Sequence, residues 1–188
     1  MHLRPGVAEK EIISHCKTGS LKHQEMLYKL FYGYAMGIGL RYSFTKDDAL
    51  EVVNDAFIKA FKAINTYTDD KPFKPWLRSI IVNTAIDRRR KELKQQLNTD
   101  LEHAAMHISY AGNAIEKLNA QDILKLLKLL PAIHVTVFNL YEIDGYSHDE
   151  IAAMLTIPAS SSRVYLTRAK EKLRALLTKQ DQENERAV

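Results

Sequence analysis

Hydroxyl and guanidinium side chains are concentrated near the start of the last amphipathic segment of the chain. At helical spacing these side chains share one side of the segment: Ser160, Ser161, Arg163, Tyr165, Thr167 and Arg168. Hydroxyls and guanidinium groups can donate hydrogen bonds to base edges in the major groove, and the amides of a helix N-terminus suit a phosphate. The pattern predicts a helix surface that contacts duplex DNA.

A helix-turn-helix would hold that surface in place. Ser147, with Glu150 three residues later, predicts a capped short helix to Leu155, and residues 156–158 predict the turn before a helix that runs to about Lys179. The expected contacts between the two helices join Ile151, Ala152 and Leu155 to Val164, Leu166 and Ala169. An ordinary helical hairpin with a solvated basic face is the alternative, and the combination of cap, turn and basic helix favours DNA binding.

Aromatic residues are interleaved with basic residues in an earlier part of the chain. Tyr67 lies in a polar loop at 65–72, and Phe73 and Trp76 follow beside Lys74. This mixture suits unpaired bases, because rings stack on exposed bases while cations hold the backbone. Phe73 and Trp76 also suit a hydrophobic core, so Tyr67 is the better candidate for stacking.

Composition favours an all-α protein of two small domains. The chain has 188 residues, and its seven glycines and five prolines are few, with no alternating Val/Ile/Thr-rich runs. The net charge is +4, but residues 71–94 hold eight basic against two acidic side chains and residues 158–179 hold six against one. Between them, residues 98–122 hold four acidic against one basic. Two separate contacts with a polyanion would explain this distribution.

Helical periodicity defines the elements that position these groups. Helices are expected at 7–18, 21–43, 73–95, 119–130 and 131–143, with a further helix capped by Thr45 that runs to Ile64. Its inward stripe is Ala49, Val52, Val53, Ala56, Phe57, Ala60, Phe61 and Ile64. The spacing of Gly33, Gly37 and Gly39 would let another helix approach closely. The predicted organisation is a helical domain at 1–95, a flexible linker at 96–116 and the helix-turn-helix domain at 117–188.

Two blocks of the chain resemble a known family. Asp48–Ile64 and Pro75–Lys91 are similar to region two of extracytoplasmic-function (group IV) sigma factors of the sigma-70 family, and Leu130–Leu177 resembles their region four. The resemblance covers roughly residues 20–179. It implies a subunit that binds core RNA polymerase and directs promoter recognition, DNA melting and transcription initiation.

The resemblance also implies roles for individual residues. The polymerase-binding residues would be Asp48, Glu51, Asn54, Asp55 and Phe57. The minus-ten element would be bound by Asn65, Tyr67, Lys71, Lys74, Arg78, Asn83, Asp87 and Arg88. The minus-thirty-five element would be bound by Ser160, Ser161, Ser162, Arg163, Tyr165 and Arg168. An anti-sigma factor is a further implied partner, and no small-molecule substrate is implied.

The chain departs from the family pattern where base preference is set. The usual run at the turn and recognition helix is small-Gly-Thr-Val-Lys-Ser-Arg-Leu, whereas Ala159–Leu166 here contains three serines and places Tyr165 where an arginine is customary. The loop before Phe73 also lacks the usual Arg and Gly content. These departures leave the architecture intact and the promoter sequence open.

Other classes of function fit the sequence less well. A helix-turn-helix regulator acting alone would leave the acidic helix and the aromatic loop unexplained, and a protein-interaction adaptor would leave the basic blocks unexplained. An enzyme is not expected, since no nucleophile elbow, phosphate-binding glycine loop or triad order is present. His103 and His107 have no obvious third metal ligand, so neither a metal nor a cofactor is predicted. A single cysteine, Cys16, and the lack of a signal-like apolar run predict a cytoplasmic protein.

Overall fold

The computed structural model describes residues 5–98 and 126–186, with side-chain environments for residues 9–91 and 126–179. All regular structure in these ranges is helical, which confirms the all-α expectation. The chain divides into two compact units, Met1–Leu93 and Lys94–Val188. Most of the expected linker at 96–116, most of the helix expected at 119–130, and both His103 and His107 lie outside the described residues.

Four helices build the first unit. They are α1 (Pro5–Lys17), α2 (Leu21–Tyr42), α3 (Lys46–Ala63) and α4 (Phe73–Asn98), and a short 3-10 turn, Ile64–Thr66, extends α3. Thr45 caps α3 as the sequence predicts, because its hydroxyl oxygen accepts a hydrogen bond from the Asp48 amide at 3.0 Å. The cap sets the direction in which α3 leaves α2 and therefore which side of α3 faces outward.

The core of the first unit forms around the inward side of α3. Every member of the predicted α3 stripe is buried except Phe61, which is half-buried. Gly39 on α2 permits the close approach, since a Cβ there would lie 3.1 Å from the carbonyl oxygen of Ala49. Gly33 and Gly37 have no neighbour in such a position and are exposed, so the expected helix contact applies to Gly39 alone.

The described part of the second unit includes three helices and one wide turn. Its helices are α5 (Ala132–Phe138), α6 (His148–Leu155) and α7 (Ala159–Arg186). The helix expected at 131–143 widens after Phe138 into a π-helical turn, in which the Asp144 amide donates to the Asn139 carbonyl at 2.9 Å. Gly145, at φ +78, then ends the segment, in line with its predicted capping role.

The helix-turn-helix of the second unit is present as the sequence predicts. Ser147 and Glu150 form both halves of a capping box at the start of α6. Thr156 ends α6 in the left-handed conformation at φ 57, which turns the chain into α7. Ile151 and Leu155 of α6 and Leu166 of α7 are buried, whereas Ala169 of α7 belongs to the core cluster with Leu127, Leu130 and Val135.

Candidate functional sites

The outer side of α3 carries an acidic surface with one apolar residue in it. We call it the acidic face, and its exposed members are Glu51, Asn54, Asp55 and Ile58. The Tyr28 hydroxyl donates a hydrogen bond to the Asn54 side-chain oxygen at 3.0 Å, which orients that amide. Ile58 is 53% exposed although it is large and apolar, and sequence reasoning missed it. Carboxylates around an exposed aliphatic side chain suit a basic protein surface with an apolar pocket.

Phe57 does not belong to this surface. Its side chain is only 2% exposed and its ring centre lies 4.7 Å from that of Tyr28. Phe57 therefore packs in the core of the first unit, and its assignment to direct polymerase contact stays a prediction that this burial does not favour. Ile58, one residue later, takes the outward position.

Ion pairs join α3 to α4 in the first unit. Arg88 of α4 lies with one guanidinium nitrogen 2.8 Å from the Asp48 carboxylate and with another in contact with Glu51. Lys59 of α3 pairs with Asp87 of α4 at 3.2 Å. Side chains that the resemblance assigns to two different ligands, polymerase and DNA, thus share one network.

The loop before α4 closes over its own aromatic ring. Tyr67 donates a hydrogen bond from its hydroxyl to the Lys71 carbonyl at 2.6 Å, and its ring packs edge-on against Phe73. Burial, with a smaller contribution from the Asp69 charge, raises the pKa of Tyr67. Only 6% of Tyr67 is exposed, so its ring is covered in this structure and its role in base stacking stays a prediction, whereas Trp76 is half-buried.

The remaining residues assigned to the minus-ten element lie at the surface of the first unit. The exposed ones are Asn65, Lys71, Lys74, Asn83 and Asp87, and Arg78 and Arg88 are half-buried. Asn83 and Asp87 are one turn apart on α4 and therefore face the same way. The Lys74 ammonium lies 5.8 Å from the centre of the Tyr34 ring, which holds this cation near the start of α4.

Ser162 is buried between α6 and α7. It is 0% exposed, and its Oγ forms a hydrogen bond with Nδ1 of His148 at 2.9 Å. The His148 ring stacks on Tyr141 with 4.5 Å between ring centres. Burial, with help from the Arg163 charge, lowers the pKa of His148. The Ser162 hydroxyl thus joins the two helices, and the assignment of Ser162 to DNA contact stays a prediction that this burial does not favour.

The outward side of α7 contains a different set of residues from the predicted one. Ser160, Arg163, Thr167 and Arg168 are exposed as expected, and Val164, predicted to face inward, is 44% exposed. Ser161 is half-buried. Tyr165 is half-buried too, with its ring 5.3 Å from that of His134, so it lies at the side of the surface.

Two further properties of the described residues bear on function. No group of three or more His, Cys, Asp or Glu side chains within residues 5–98 and 126–186 has a geometry that could hold a metal ion. Among the described helices, none is both long enough and apolar enough to span a membrane.

Comparison with known proteins assigns both units to one family. The model of sigma-70 region 2 matches residues 25–95, and the model of sigma-70 region 4 matches residues 120–173. Together the two matches cover about two thirds of the chain, in the order found in that family. The chain belongs to the sigma-70 family. It is an extracytoplasmic-function (ECF) sigma factor that acts in transcription initiation, as its relatives indicate.

Relatives of this sigma factor extend over nearly its whole length. The ECF RNA polymerase sigma-E factor of Escherichia coli K12 is 24% identical over 88% of this chain and 92% of its own length. The RNA polymerase sigma-H factor of Pseudomonas aeruginosa is 23% identical over 87% of this chain and 90% of its own length. A solved structure of RpoE from Bartonella quintana, in complex with the anti-sigma factor NepR, is 23% identical over 84% of this chain and 98% of that one, with a TM-score of 0.49.

Within the sigma factor, region 2 carries the acidic face and the α4 surface, and region 4 carries the outward side of α7. The residues that sequence reasoning missed, Ile58 and Val164, are apolar residues exposed among polar ones. Helical phase could have found Ile58, because it lies outside the α3 stripe. Helical phase could also have found Val164, because it lies about 200° around α7 from Leu166, which the sequence places inward.

Proposed function

We propose that the protein is a group IV sigma factor in which three surfaces have separate tasks. The acidic face of α3 binds core RNA polymerase. The surface of the 65–72 loop and α4 binds the minus-ten element and assists melting, and the outward side of α7 binds the minus-thirty-five element in duplex form. The protein itself contributes no catalytic step, and work with polymerase on chromosomal DNA requires it to act in the cytoplasm.

One observation carries this proposal: each unit presents exposed polar groups of the kind its partner would require. The acidic face in region 2 holds two carboxylates, an amide and Ile58, which suits a protein partner with basic residues around an apolar pocket. In region 4, Arg163 and Arg168 flank the exposed Ser160 and Thr167, which suits phosphates and base edges. A protein-interaction adaptor would not need the exposed arginine and hydroxyl side chains of region 4.

Core binding is tested first with a charge reversal on the acidic face. Asp55→Arg should weaken co-elution of the full chain with core polymerase in gel filtration by at least tenfold in affinity, because it places a cation against a basic partner. The control Glu11→Arg makes the same charge change at an exposed position of α1, and this variant should bind core polymerase as the wild type does. Equal binding by both variants, or a wild-type chain that never binds core, would refute the assignment of this face.

DNA binding is tested by comparing the free chain with the holoenzyme. Promoter fragments recovered by run-off transcription with core polymerase should be bound tightly only when core is present, with a salt slope of about −0.9 per phosphate neutralised. Tight, sequence-specific binding by the free chain would instead favour a regulator that acts alone. A flat salt response would favour the adaptor.

An anti-sigma factor is the remaining partner in the proposal. Competition for the acidic face is the simplest means of inhibition, since α3 offers one exposed surface that cannot hold two proteins. A candidate anti-sigma protein, added in equal amount, should displace the wild-type chain from core polymerase. A ternary complex of core, sigma factor and that protein would contradict competition at this face.

A further inference from the structure

The outward side of α7 has an apolar centre. At 100° per residue, Val164 lies about 200° from Ser162 around the helix, and Ser162, Leu166 and Ala169 form the buried side. Val164 therefore points directly away from the unit. Its position in the second turn of α7 is the part of a recognition helix that reaches base edges in helix-turn-helix proteins.

Thr167 adds to this apolar centre. It lies one turn after Val164 and is exposed, and its hydroxyl donates a hydrogen bond to the Arg163 carbonyl at 3.0 Å. Because the hydroxyl is engaged with the helix backbone, the methyl group is the part of Thr167 left to contact a ligand. Val164 and Thr167 together present neighbouring methyl groups.

Charged residues frame these methyl groups on both sides. Arg163 lies about 100° before Val164 on the helix and Arg168 about 40° after it, and both are exposed. Two cations at the edges of a narrow apolar strip match a DNA major groove, where phosphates border the base edges. The apolar group that a base pair offers in that groove is the 5-methyl of thymine.

We propose that Val164 and Thr167 are specificity-determining residues that each contact a thymine 5-methyl group in the duplex element bound by α7. The inference rests on the proposed function, since it assumes that α7 enters the major groove. Valine suits this task because its side chain has one strongly preferred rotamer in a helix, so little side-chain entropy is lost on contact. The two contacts favour thymine over cytosine or uracil at two nearby positions.

Removal of single methyl groups from the DNA tests the proposal. Holoenzyme formed from the full chain first selects duplexes from a library randomised across the upstream element. Each thymine of the selected element is then replaced in turn by deoxyuridine, which lacks only the 5-methyl group. Wild-type holoenzyme should lose about fourfold in affinity at each contacted thymine, the effect of exposing one methyl group.

Two protein variants assign the contacts. Val164→Ala should bind thymine and uracil equally at one position and keep the wild-type preference at the other. Thr167→Ser, which keeps the hydroxyl and loses the methyl, should show the reverse pattern. Each variant is thereby a folding control for the other, because an unfolded helix-turn-helix would lose both preferences.

Three outcomes would overturn the inference. Wild-type holoenzyme that is insensitive to uracil at every position, or a Val164→Ala variant with the wild-type sensitivity at every position, would overturn this inference alone. Failure of the wild-type holoenzyme to select any duplex would overturn the proposed function as well, so the two failures are distinguishable.

Discussion

The guanidinium of Arg88 on α4 lies 2.8 Å from the carboxylate of Asp48 on α3 and also contacts Glu51. Glu51 belongs to the acidic face proposed to bind polymerase, Asp48 is half-buried one turn before it on α3, and Arg88 belongs to the surface proposed to bind the minus-ten element. Asp48 is held further, since it accepts a hydrogen bond from the Thr45 hydroxyl at 2.6 Å. The pair therefore fixes how α4 is presented relative to α3 within region 2.

Asp48 should consequently contribute to promoter opening more than to core affinity. Asp48→Asn removes the charge opposite Arg88 while Asp55 and Ile58 remain, so we expect core affinity within twofold of wild type and slower open-complex formation. The measurements are core titration and permanganate reactivity of the minus-ten element. The matched variant Asp55→Asn should lower core affinity and leave the rate of open-complex formation close to that of the wild type. A larger loss of core affinity for Asp48→Asn than for Asp55→Asn would contradict this division.

The neighbours Phe57 and Ile58 should separate folding from binding. Phe57→Ala creates a cavity in the core and should lower the free energy of unfolding of region 2 by about 3–5 kcal/mol. Ile58→Ala removes an exposed side chain, so stability should change by less than about 0.5 kcal/mol while core affinity falls. Trp76, the single tryptophan, reports region 2 unfolding in urea by fluorescence.

Wild-type core affinity for Ile58→Ala would show that this residue lies outside the polymerase interface. Wild-type stability for Phe57→Ala would contradict its placement in the core. Because the two residues are adjacent, a general disturbance of α3 would affect both variants alike, and the expected contrast would disappear.

The regular part of the fold could be predicted from the sequence because its signals are local. The Thr45 cap, the Ser147–Glu150 capping box and the 3.6-residue stripe of α3 each involve residues within one or two helical turns. Gly145 ends its segment through its own conformational freedom at φ +78. Signals of this kind do not depend on which other element lies against them.

The departures from expectation at the candidate sites have nonlocal causes. Ser162, which only the family resemblance assigned to DNA contact, is buried because His148 supplies a partner for its hydroxyl from fourteen residues away. Tyr67 was expected to be open because its neighbours are polar, yet the Lys71 carbonyl accepts its hydroxyl and Phe73 covers its ring. A polar residue can be buried once another element satisfies it, and single-sequence patterns do not contain that partner.

Ser160 and Ser162 of α7 should respond differently to the same substitution. Ser162→Ala leaves Nδ1 of His148 without its partner and should lower the stability of the helix-turn-helix by about 1–2 kcal/mol. Ser160→Ala, at the exposed start of α7, should leave stability unchanged and weaken promoter binding. Hydrogen exchange of the α6 amides measures the first effect, and holoenzyme binding to an upstream duplex measures the second. Changed base preference in Ser162→Ala without faster exchange would restore a direct DNA role for Ser162.

Region 4 should lose stability as the solution becomes mildly acidic. Burial lowers the pKa of both His134 and His148 below the ordinary value of 6.5, with the charges of Arg168 and Arg163 adding to the respective effects. Between each folded-state pKa and 6.5 the unfolded state therefore binds more protons than the folded state, so the free energy of unfolding falls as pH is lowered through this window. Exchange of the α6 amides, corrected for intrinsic rates, should report a lower opening free energy at about pH 5.5 than at about pH 7.5.

A single substitution identifies the contribution of each histidine to that pH dependence. His148→Asn keeps a group that can hydrogen-bond Ser162 and cannot titrate, so the slope of opening free energy against pH should decrease and the remainder should belong to His134. His15 lies exposed in the first unit, and His15→Asn should leave the slope in region 4 unchanged. An unchanged slope in His148→Asn would mean that protonation of this ring does not oppose the packing of α6 on α7. A slope of opposite sign in the wild type would mean that the charged ring is stabilised in the folded state.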